Sequence, residues 1–322
     1  MKKNWKVILI VFFLFFVGNS FRVYGFELES KDILVHRSII YNKDNESLDF
    51  FAINGFNFRN NHVLYDEDVT VNMYSKFGIL VNLTTNEVIY ERRADEKAYP
   101  ASLTKMMTVL IGLENGNQET MMINVDFDKL AEAGAAIAGF KNGELVSKKD
   151  LLMATMLPSG ADAALSLADQ IAGSEEDFVY LMNKKAESLG MKNTHFTNVT
   201  GLHDDEHYTT ARDLAILVKV ALKNPEFKEI FSAKSYVTEK GSNLVFTSRM
   251  FDRMASPIFE GGEILGGKTG YTWEALLCLA SFAMDDQDEY ALITMHADGG
   301  PRTPQYHVKD AREVYKYFLN YR

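Results

Sequence analysis

The chain has 322 residues, and hydrophobic residues make up 47% of it, enough for a large folded core. Its 44 Asp and Glu residues outnumber its 34 Lys and Arg residues, and the resulting formal net charge of −10 disfavours a nucleic-acid partner. The single cysteine, Cys278, excludes an intramolecular disulfide and a paired-cysteine metal or redox site. Because Cys278 stands in an apolar run, we predict that it is a small core residue.

The first 25 residues have the pattern of an export signal. Basic residues precede an unbroken apolar run from Val7 to Val17, after which the sequence turns polar. This run of 11 residues is shorter than the roughly 20 needed by a membrane-crossing helix, which favours a leader cleaved near Tyr24. The alternative is an uncleaved membrane anchor formed by residues 5–24. Either case places the body of the protein outside the cytoplasm, in a bacterial envelope or secreted from the cell.

Secondary structure is predicted from residue 77 onward. Residues 26–75 lack a sustained period and are predicted to be an irregular N-terminal extension of unknown role. Two β-type runs, Phe77–Leu83 and Glu87–Tyr90, flank turn-forming residues and predict a hairpin. After Pro100, apolar residues at 103, 106, 107, 110 and 111 follow the spacing of a buried helix face.

The central part of the chain predicts helices, and its C-terminal part predicts strands. Helical patterns over 149–156 and 163–171 flank Pro158, and Thr210 is predicted to cap another helix as part of a capping-box variant with Asp213. Strands are predicted over 266–271, 276–283 and 290–296, followed by a helix over 308–319. Strands near both ends of the chain and helices between them predict one sheet assembled from both ends, with a helical cluster packed on it.

Ser102 and Lys105 have the spacing of a serine nucleophile and its base. They are three residues apart at the start of the helix after Pro100, so their side chains share one helix face. A serine hydroxyl is a poor nucleophile at neutral pH, but a desolvated lysine with a lowered pKa can take its proton. N–H groups at the helix N-terminus would stabilise an oxyanion beside Ser102. By itself the S-x-x-K pattern is weak, because a helix start with a solvated lysine has the same pattern.

Two further elements agree with a nucleophilic serine. Ser159 and Gly160 follow Pro158 at the break between two predicted helices, and Lys268-Thr269-Gly270 opens a predicted strand. On an edge strand, a lysine, a hydroxyl and a glycine suit a substrate carboxylate, because they supply charge, a hydrogen bond and room for a substrate backbone. The three elements together favour a catalytic site over a chance match.

With these elements the sequence resembles the serine penicillin-binding proteins and β-lactamases, which carry S-x-x-K, S-x-N and K-T-G motifs. More narrowly, it is similar to the low-molecular-weight D-alanyl-D-alanine carboxypeptidases of peptidase family S11. The similarity covers roughly residues 77–300, in the blocks Ala98–Thr108, Asp150–Ala164, Thr197–Leu202, His207–Ala215 and Gly267–Thr272.

The resemblance implies a fold and an activity. The expected fold is α/β (α+β) of the β-lactamase and penicillin-binding transpeptidase type, with a central antiparallel sheet flanked by helices, a helical subdomain and a cleft between them. It would occupy residues 76–322. The expected activity is that of a serine D-Ala-D-Ala carboxypeptidase, which releases the terminal D-alanine of peptidoglycan stem pentapeptides and is acylated by β-lactams. No metal or organic cofactor is required.

The resemblance also implies roles for individual residues. Ser102 would form the acyl-enzyme, Lys105 would act as its general base and Ser159 would relay a proton to the leaving D-alanine. Along the strand, Lys268 and Thr269 would hold the terminal carboxylate and Gly270 would leave room for the substrate. The backbone N–H groups of Ser102 and Tyr271 would form the oxyanion hole.

Three departures from the family pattern stand out. Ala161 occupies the position of the usual Asn in S-x-N, so an amide expected near the Lys105 amine is missing and turnover is expected to be weakened but not abolished. The chain stops at Arg322, before the β-rich domain and amphipathic helix of many relatives, so any membrane attachment would rest on residues 5–24. The resemblance gives no role to residues 26–75.

Other hypotheses remain open at this point. His203 and His207 fit H-x-x-E-H, a zinc pattern that needs a helix, whereas this stretch is predicted to be a solvated acidic loop. A β-lactamase would need a carboxylate that drives deacylation, and we find no E-x-x-L-N element for it. A slow β-lactam or peptidoglycan sensor and a D,D-transpeptidase are the remaining alternatives. Of the aromatic residues Tyr74, Tyr271 and Trp273, only Tyr271 receives a site role, and the others are predicted to be packed.

Overall fold

The computed structural model describes residues 72–116 and 118–319 with their side chains, together with the backbone of several earlier strands. The chain divides into two units, Met1–Gly55 and Phe56–Arg322. The first unit contains two antiparallel strand pairs: Ile10–Val17 with Ser20–Glu27, and Val35–Tyr41 with Ser47–Ile53. The predicted leader and, up to residue 71, the predicted extension lie outside the residues described with side chains, so both remain predictions.

The second unit is built on an antiparallel sheet. The strands of this unit that follow the two-residue strand Leu64–Tyr65 are, in chain order, β1 (Ser75–Asn82), β2 (Glu87–Arg92), β3 (Thr120–Met122), β4 (Leu145–Ser147), β5 (Ser235–Val237), β6 (Val245–Thr247), β7 (Ile258–Phe259), β8 (Gly262–Thr272), β9 (Leu276–Met284) and β10 (Glu289–Ala297). Strands β3 and β4 pair with each other, as do β5 and β6, apart from the main sheet. The main sheet has the order β7-β8-β9-β10-β1-β2, with Leu64–Tyr65 added in parallel beside β2. Since β1 pairs with β10, one sheet is indeed assembled from both ends of the chain.

The helices lie mainly between these two groups of strands. They are α1 (Lys105–Glu114), α2 (Phe127–Glu132), α3 (Lys148–Met156), α4 (Ala161–Ala172), α5 (Glu175–Leu189), α6 (Ala211–Ala221), α7 (Pro225–Ser232) and α8 (Tyr306–Asn320). The hairpin β1–β2 and the helices predicted after Pro100, around Pro158, after Thr210 and near the C-terminus are confirmed. Helices α2, α5 and α7 were not predicted. Among the described residues, no helix is long and apolar enough to cross a membrane.

The sheet separates two hydrophobic clusters because alternate side chains of its strands point to opposite faces. Ile79, Val81 and Ile293 face the cluster shared with the helical subdomain, whereas Leu80 and Leu292 face the cluster beneath α8. Cys278 is fully buried in the first cluster, as predicted. The motifs that contain Ser102 and Ser159 lie among the helices, and the motif that contains Lys268 lies on β8 of the sheet.

The predicted capping box at α6 is only half present. The Thr210 side chain accepts a hydrogen bond from the Asp213 N–H, as a cap does. The Asp213 carboxylate instead accepts hydrogen bonds from the Asn193 N–H and the Thr194 hydroxyl, and so ties α6 to the preceding loop. A complete box is found at α3, between Ser147 and Asp150.

Candidate active site

Ser102 and Lys105 meet at the junction of a 3₁₀ turn, Ala101–Thr104, with α1. The Lys105 Nζ lies 3.4 Å from the Ser102 Oγ and donates a hydrogen bond of 2.5 Å to the Thr200 carbonyl. Lys105 is only 2% exposed. Its burial, reinforced by the charge of Arg249 and opposed by Asp162, lowers its pKa to about 7. A neutral amine in contact with a serine hydroxyl can accept its proton.

The position of the Thr200 carbonyl depends on a glycine. Gly201 has a φ of +78°, and a Cβ at this position would lie 1.9 Å from the Ala101 carbonyl oxygen. Only glycine allows this left-handed backbone to press against the turn that carries Ser102. The Thr197–Leu202 block therefore forms the wall that holds the Lys105 amine.

Ser159 and Lys268 approach the same point from the opposite side. Ser159 lies between α3 and α4 with a φ of +68°, an unfavourable backbone conformation for serine. Its hydroxyl accepts a 3.0 Å hydrogen bond from the Lys268 Nζ, which also donates to the Thr269 carbonyl at 2.8 Å. Burial of Lys268, together with the nearby positive charges of Lys105, Arg249 and Arg253, holds its pKa well below the usual range for lysine.

Strand β8 presents an open edge beside Ser102. Its pairing with β7 involves only Gly262 and Glu263, so within the described residues the stretch from Gly266 to Thr272 pairs on one side only, with β9. A Cβ on Gly270 would lie 3.1 Å from the Ser102 nitrogen and 3.0 Å from the Pro100 carbonyl oxygen. The absence of a side chain at Gly270 therefore lets β8 approach the serine closely, whereas the room for a substrate backbone expected from the sequence stays a prediction.

A cleft of about 180 Å³ joins these groups. Its lining includes Ser102, Lys105, Ser159, Ala161, Arg249, Arg253, Thr269, Gly270 and Tyr271. Lys268 lies behind this surface and reaches it through Ser159. A larger cavity of about 620 Å³, beside α3 and α7, contains none of the predicted site residues.

Ala161 is the first residue of α4 and lines the cleft. Its methyl group offers the Lys105 amine no hydrogen bond, and the amine contacts the Thr200 carbonyl instead. The adjacent Asp162 carboxylate accepts hydrogen bonds from the N–H groups of Ala138 and Gly139 and so fixes the loop before it. The cleft wall is therefore ordered although the usual amide is missing.

Two arginines of the cleft were not predicted. Arg253 ends the 3₁₀ turn Phe251–Arg253, and Arg249 lies two residues before that turn. Both are half-buried, and in the described part of the chain neither guanidinium has a hydrogen-bond or ion-pair partner. Burial lowers the pKa of each. They belong to no motif that we recognised in the sequence, and only the folded chain brings them to the cleft.

The H-x-x-E-H stretch forms a loop, as predicted, but His207 is buried rather than solvated. The His207 Nδ1 accepts a hydrogen bond of 3.0 Å from the Thr197 N–H, so its Nε2 carries the proton and donates to the Thr104 hydroxyl at 2.7 Å. Burial lowers the pKa of His207 to about 4. Both ring nitrogens are occupied, and no group of three potential ligands that could hold a metal occurs among the described residues. The loop does not support the zinc hypothesis.

The aromatic residues divide into packed and unpacked ones. Tyr74 stacks on Tyr306 with ring centroids 4.0 Å apart, and Tyr271 lines the cleft. Trp273 is 82% exposed, so the prediction that it is packed was wrong. Trp273 lies in the turn between β8 and β9, outside both strands, and this position explains its exposure.

Comparison with known proteins gives consistent matches. The model of peptidase family S11, D-alanyl-D-alanine carboxypeptidase, matches residues 53–299. DacF, a D-alanyl-D-alanine carboxypeptidase of Bacillus subtilis, is 36% identical over 217 residues, which are 65% of this chain and 54% of the relative. DacD of Escherichia coli, a carboxypeptidase of the same description, is 32% identical over 68% of this chain and 58% of its own length. The chain thus spans little more than half the length of these relatives.

Solved structures agree with the sequence matches. The Streptomyces K15 DD-transpeptidase is 26% identical, with a TM-score of 0.69 over 77% of this chain and 98% of the other. A D-alanyl-D-alanine carboxypeptidase from Mycobacterium tuberculosis shares the fold, with a TM-score of 0.68 over 79% of this chain and 94% of the other. The predicted penicillin-binding α/β fold is confirmed. By its sequence match and its fold, the chain belongs to peptidase family S11, the D-alanyl-D-alanine carboxypeptidases.

Proposed function

We propose that the protein is a serine-type D-alanyl-D-alanine carboxypeptidase that removes the terminal D-alanine from peptidoglycan stem pentapeptides. The observation that carries this proposal is the contact between the Ser102 hydroxyl and the buried Lys105 amine, beside the open edge of β8. A nucleophile, a base of pKa about 7 and an edge that can pair with an extended peptide are the groups that this reaction needs.

The first half of the proposed reaction forms an acyl-enzyme. The Ser102 Oγ attacks the carbonyl carbon of the penultimate D-alanine while its proton passes to the Lys105 Nζ. The backbone N–H groups of Ser102 and Tyr271 stabilise the oxyanion. When the peptide bond breaks, Ser159 relays the proton held by Lys105 to the leaving amine, so D-alanine departs and Lys105 is neutral again. Water then attacks the ester carbonyl; the shortened peptide leaves as a carboxylic acid, and the Ser102 oxygen regains a proton.

The charge of the cleft suits a substrate with a free carboxylate. Lys268 and Thr269 would bind that carboxylate, and Arg249 and Arg253 add positive charge around it. Burial and, after it, repulsion from nearby positive charges lower the pKa of Lys268, and a bound anion would offset that repulsion. β-Lactams carry a carboxylate at the corresponding position, so we expect them to acylate Ser102 as well.

The proposed substrate lies in the cell wall, so the enzyme would act outside the cytoplasm, secreted or attached to the membrane through residues 5–24. The proposed chemistry uses no metal and no organic cofactor. It involves no nucleic acid.

A D,D-transpeptidase is the second candidate, favoured by the similarity to the Streptomyces K15 DD-transpeptidase. It would form the same acyl-enzyme but transfer the acyl group to an amine instead of water. A sensor that is acylated but hardly turns over is the third, because Ala161 removes an amide from the site.

One experiment separates these candidates. The chain and its Ser102→Ala variant are mixed with benzylpenicillin and followed by intact mass, while D-alanine release from a diacyl-Lys-D-Ala-D-Ala peptide is measured with and without an added amine acceptor. We expect one adduct on the unaltered chain only, with D-alanine release into water. An adduct without hydrolysis would favour the transpeptidase or the sensor. No adduct and no release would contradict the proposal.

A further inference from the structure

Among the described residues, Trp273 is the most exposed large hydrophobic side chain. It lies in the turn that follows β8, directly after the residues that line the cleft, and its ring is 5.9 Å from that of Tyr271 in an edge-on arrangement. An indole that is 82% exposed leaves most of its apolar surface in water. Its location beside the cleft gives it access to a bound ligand.

The geometry of β8 determines which part of a substrate reaches Trp273. This step rests on the proposed function, in which the substrate carboxylate lies at Lys268 and Thr269 and the acylated carbonyl lies between Ser102 and Tyr271. A peptide paired with the open edge then continues past Tyr271 in the direction of Thr272 and Trp273. At about 3.3 Å per residue, the residue that precedes the acylated D-alanine lies one position beyond Tyr271, within side-chain reach of Trp273.

The charge of the cleft changes sign along this path. Around Ser102 the cleft lining includes two positively charged side chains, the guanidinium groups of Arg249 and Arg253. Beside Trp273 stands Glu274, whose side chain is 40% exposed, and its Oε2 lies 3.8 Å from the His203 Nδ1. The His203 Nε2 lies 3.4 Å from the Asp205 Oδ1, so even a protonated imidazole leaves a net negative charge on these three groups.

We infer that Trp273 and Glu274 form a specificity site for a positively charged side chain on the residue before the acylated D-alanine. We call these two residues, with His203 and Asp205, the rim of the cleft. An ammonium group over the indole face is stabilised by a cation–π interaction, and the nearby carboxylate adds an ion pair. The preferred substrate is therefore a stem peptide whose third residue carries a free side-chain amine.

A sugar ring of the glycan chain is the competing occupant of an exposed tryptophan. The rim favours the ammonium because its polar groups carry net negative charge, whereas a neutral sugar needs no counter-charge. The distance along β8 agrees, since the third stem residue is reached one step beyond Tyr271 and the glycan is attached further along the stem.

The test compares two peptides, diacetyl-Lys-D-Ala-D-Ala and the matched peptide with a free lysine side-chain amine. Steady-state kinetics are measured on the unaltered chain and on the Trp273→Leu and Glu274→Gln variants. We expect the unaltered chain to prefer the free amine in kcat/KM by about threefold to tenfold, mainly through KM. Each variant should lose most of this preference while its kcat on the diacetyl peptide stays close to that of the unaltered chain.

Glu176→Gln is the matched control, because Glu176 is an exposed carboxylate on α5 outside the cleft lining. It should keep the preference in full. Equal kcat/KM for both peptides on the unaltered chain, or a preference that survives in both rim variants, would overturn the inference. A loss confined to substrates that carry a disaccharide would also overturn it and assign Trp273 to the glycan. If neither peptide releases D-alanine and benzylpenicillin forms no adduct, the proposed function itself fails.

Discussion

The two ends of the cleft are built in opposite ways. At the inner end, which we define as Ser102, Lys105, Ser159 and Lys268, both lysines are nearly fully buried and each donates hydrogen bonds to fixed oxygen atoms. At the rim, Trp273 lies mostly in solvent and its carboxylate neighbour is partly exposed. Burial of like charges makes the inner end reactive, because it lowers the pKa of both amines. The rim contains no buried amine of lowered pKa, so we expect it to select substrates without taking part in the reaction.

Removal of the base should have the largest effect. Lys105→Met keeps the unbranched stem of the side chain without its amine and cannot accept the serine proton, so we expect acylation by benzylpenicillin to slow by about 10² to 10⁴-fold. Stopped-flow or timed mass measurements of the adduct check this. Lys316→Met, at an exposed lysine of α8, is the control. Acylation at an unchanged rate in a folded Lys105→Met variant would remove Lys105 from the proposed mechanism.

Addition of the missing amide should have the next largest effect. In Ala161→Asn, a side-chain amide at the start of α4 can bond the Lys105 amine and the substrate backbone. A hydrogen bond to a charged group contributes about 1.5 to 3 kcal/mol. If the added amide forms one in the transition state, we expect D-alanine release to speed up about tenfold to a hundredfold. Ala161→Leu adds a similar volume without the amide and should show no gain. Unchanged or slower release by a well-folded Ala161→Asn variant would contradict this expectation.

His207 should make stability depend on pH. Its pKa is lowered from 6.5 to about 4 in the folded chain, so between these values the unfolded chain binds a proton that the folded chain does not. The contribution of His207 is complete above pH 6.5 and is lost as the pH falls towards 4, by up to about 1.4 kcal/mol per pH unit. Urea unfolding over this range should show a weaker pH dependence for His207→Gln. Identical slopes would show that the imidazole is not held neutral.

Neutralisation of Arg249 should have the smallest effect, and this effect should be a shift in the pH dependence of the acylation rate. The Arg249 charge lowers the pKa of Lys105, so Arg249→Gln should raise that pKa and move the acidic limb of the acylation rate to higher pH. We expect a severalfold loss near pH 6 and little change near pH 9, measured as acylation rate against pH. Arg253→Gln is the matched control, since Arg253 affects Lys268 but is not among the charges that act on Lys105. The same shift in both variants would contradict the assignment to Arg249.

The amino-acid sequence by itself determined the local parts of this protein. The spacing of Ser102 and Lys105 places their side chains on one helix face, and the continuous apolar runs around Ile79 and Ile293 are typical of strands with two buried faces. Gly270 and Gly201 are informative from the sequence because each occurs in a block with the family pattern. The helices, strands and motif residues followed from these local signals, since each depends on neighbours within a few residues, whereas the fold was expected from the resemblance to the family.

Only the tertiary structure decided how these parts act on one another. Arg249 lowers the pKa of Lys105, the Thr200 carbonyl holds its amine, and His207 supports the turn from behind, yet all three are distant in sequence from Lys105. The same holds for Trp273, which was predicted to be packed and is exposed because the turn after β8 places it beyond the core. Desolvation, charge proximity and exposure depend on which distant segments meet, so they become definite only when the chain has folded.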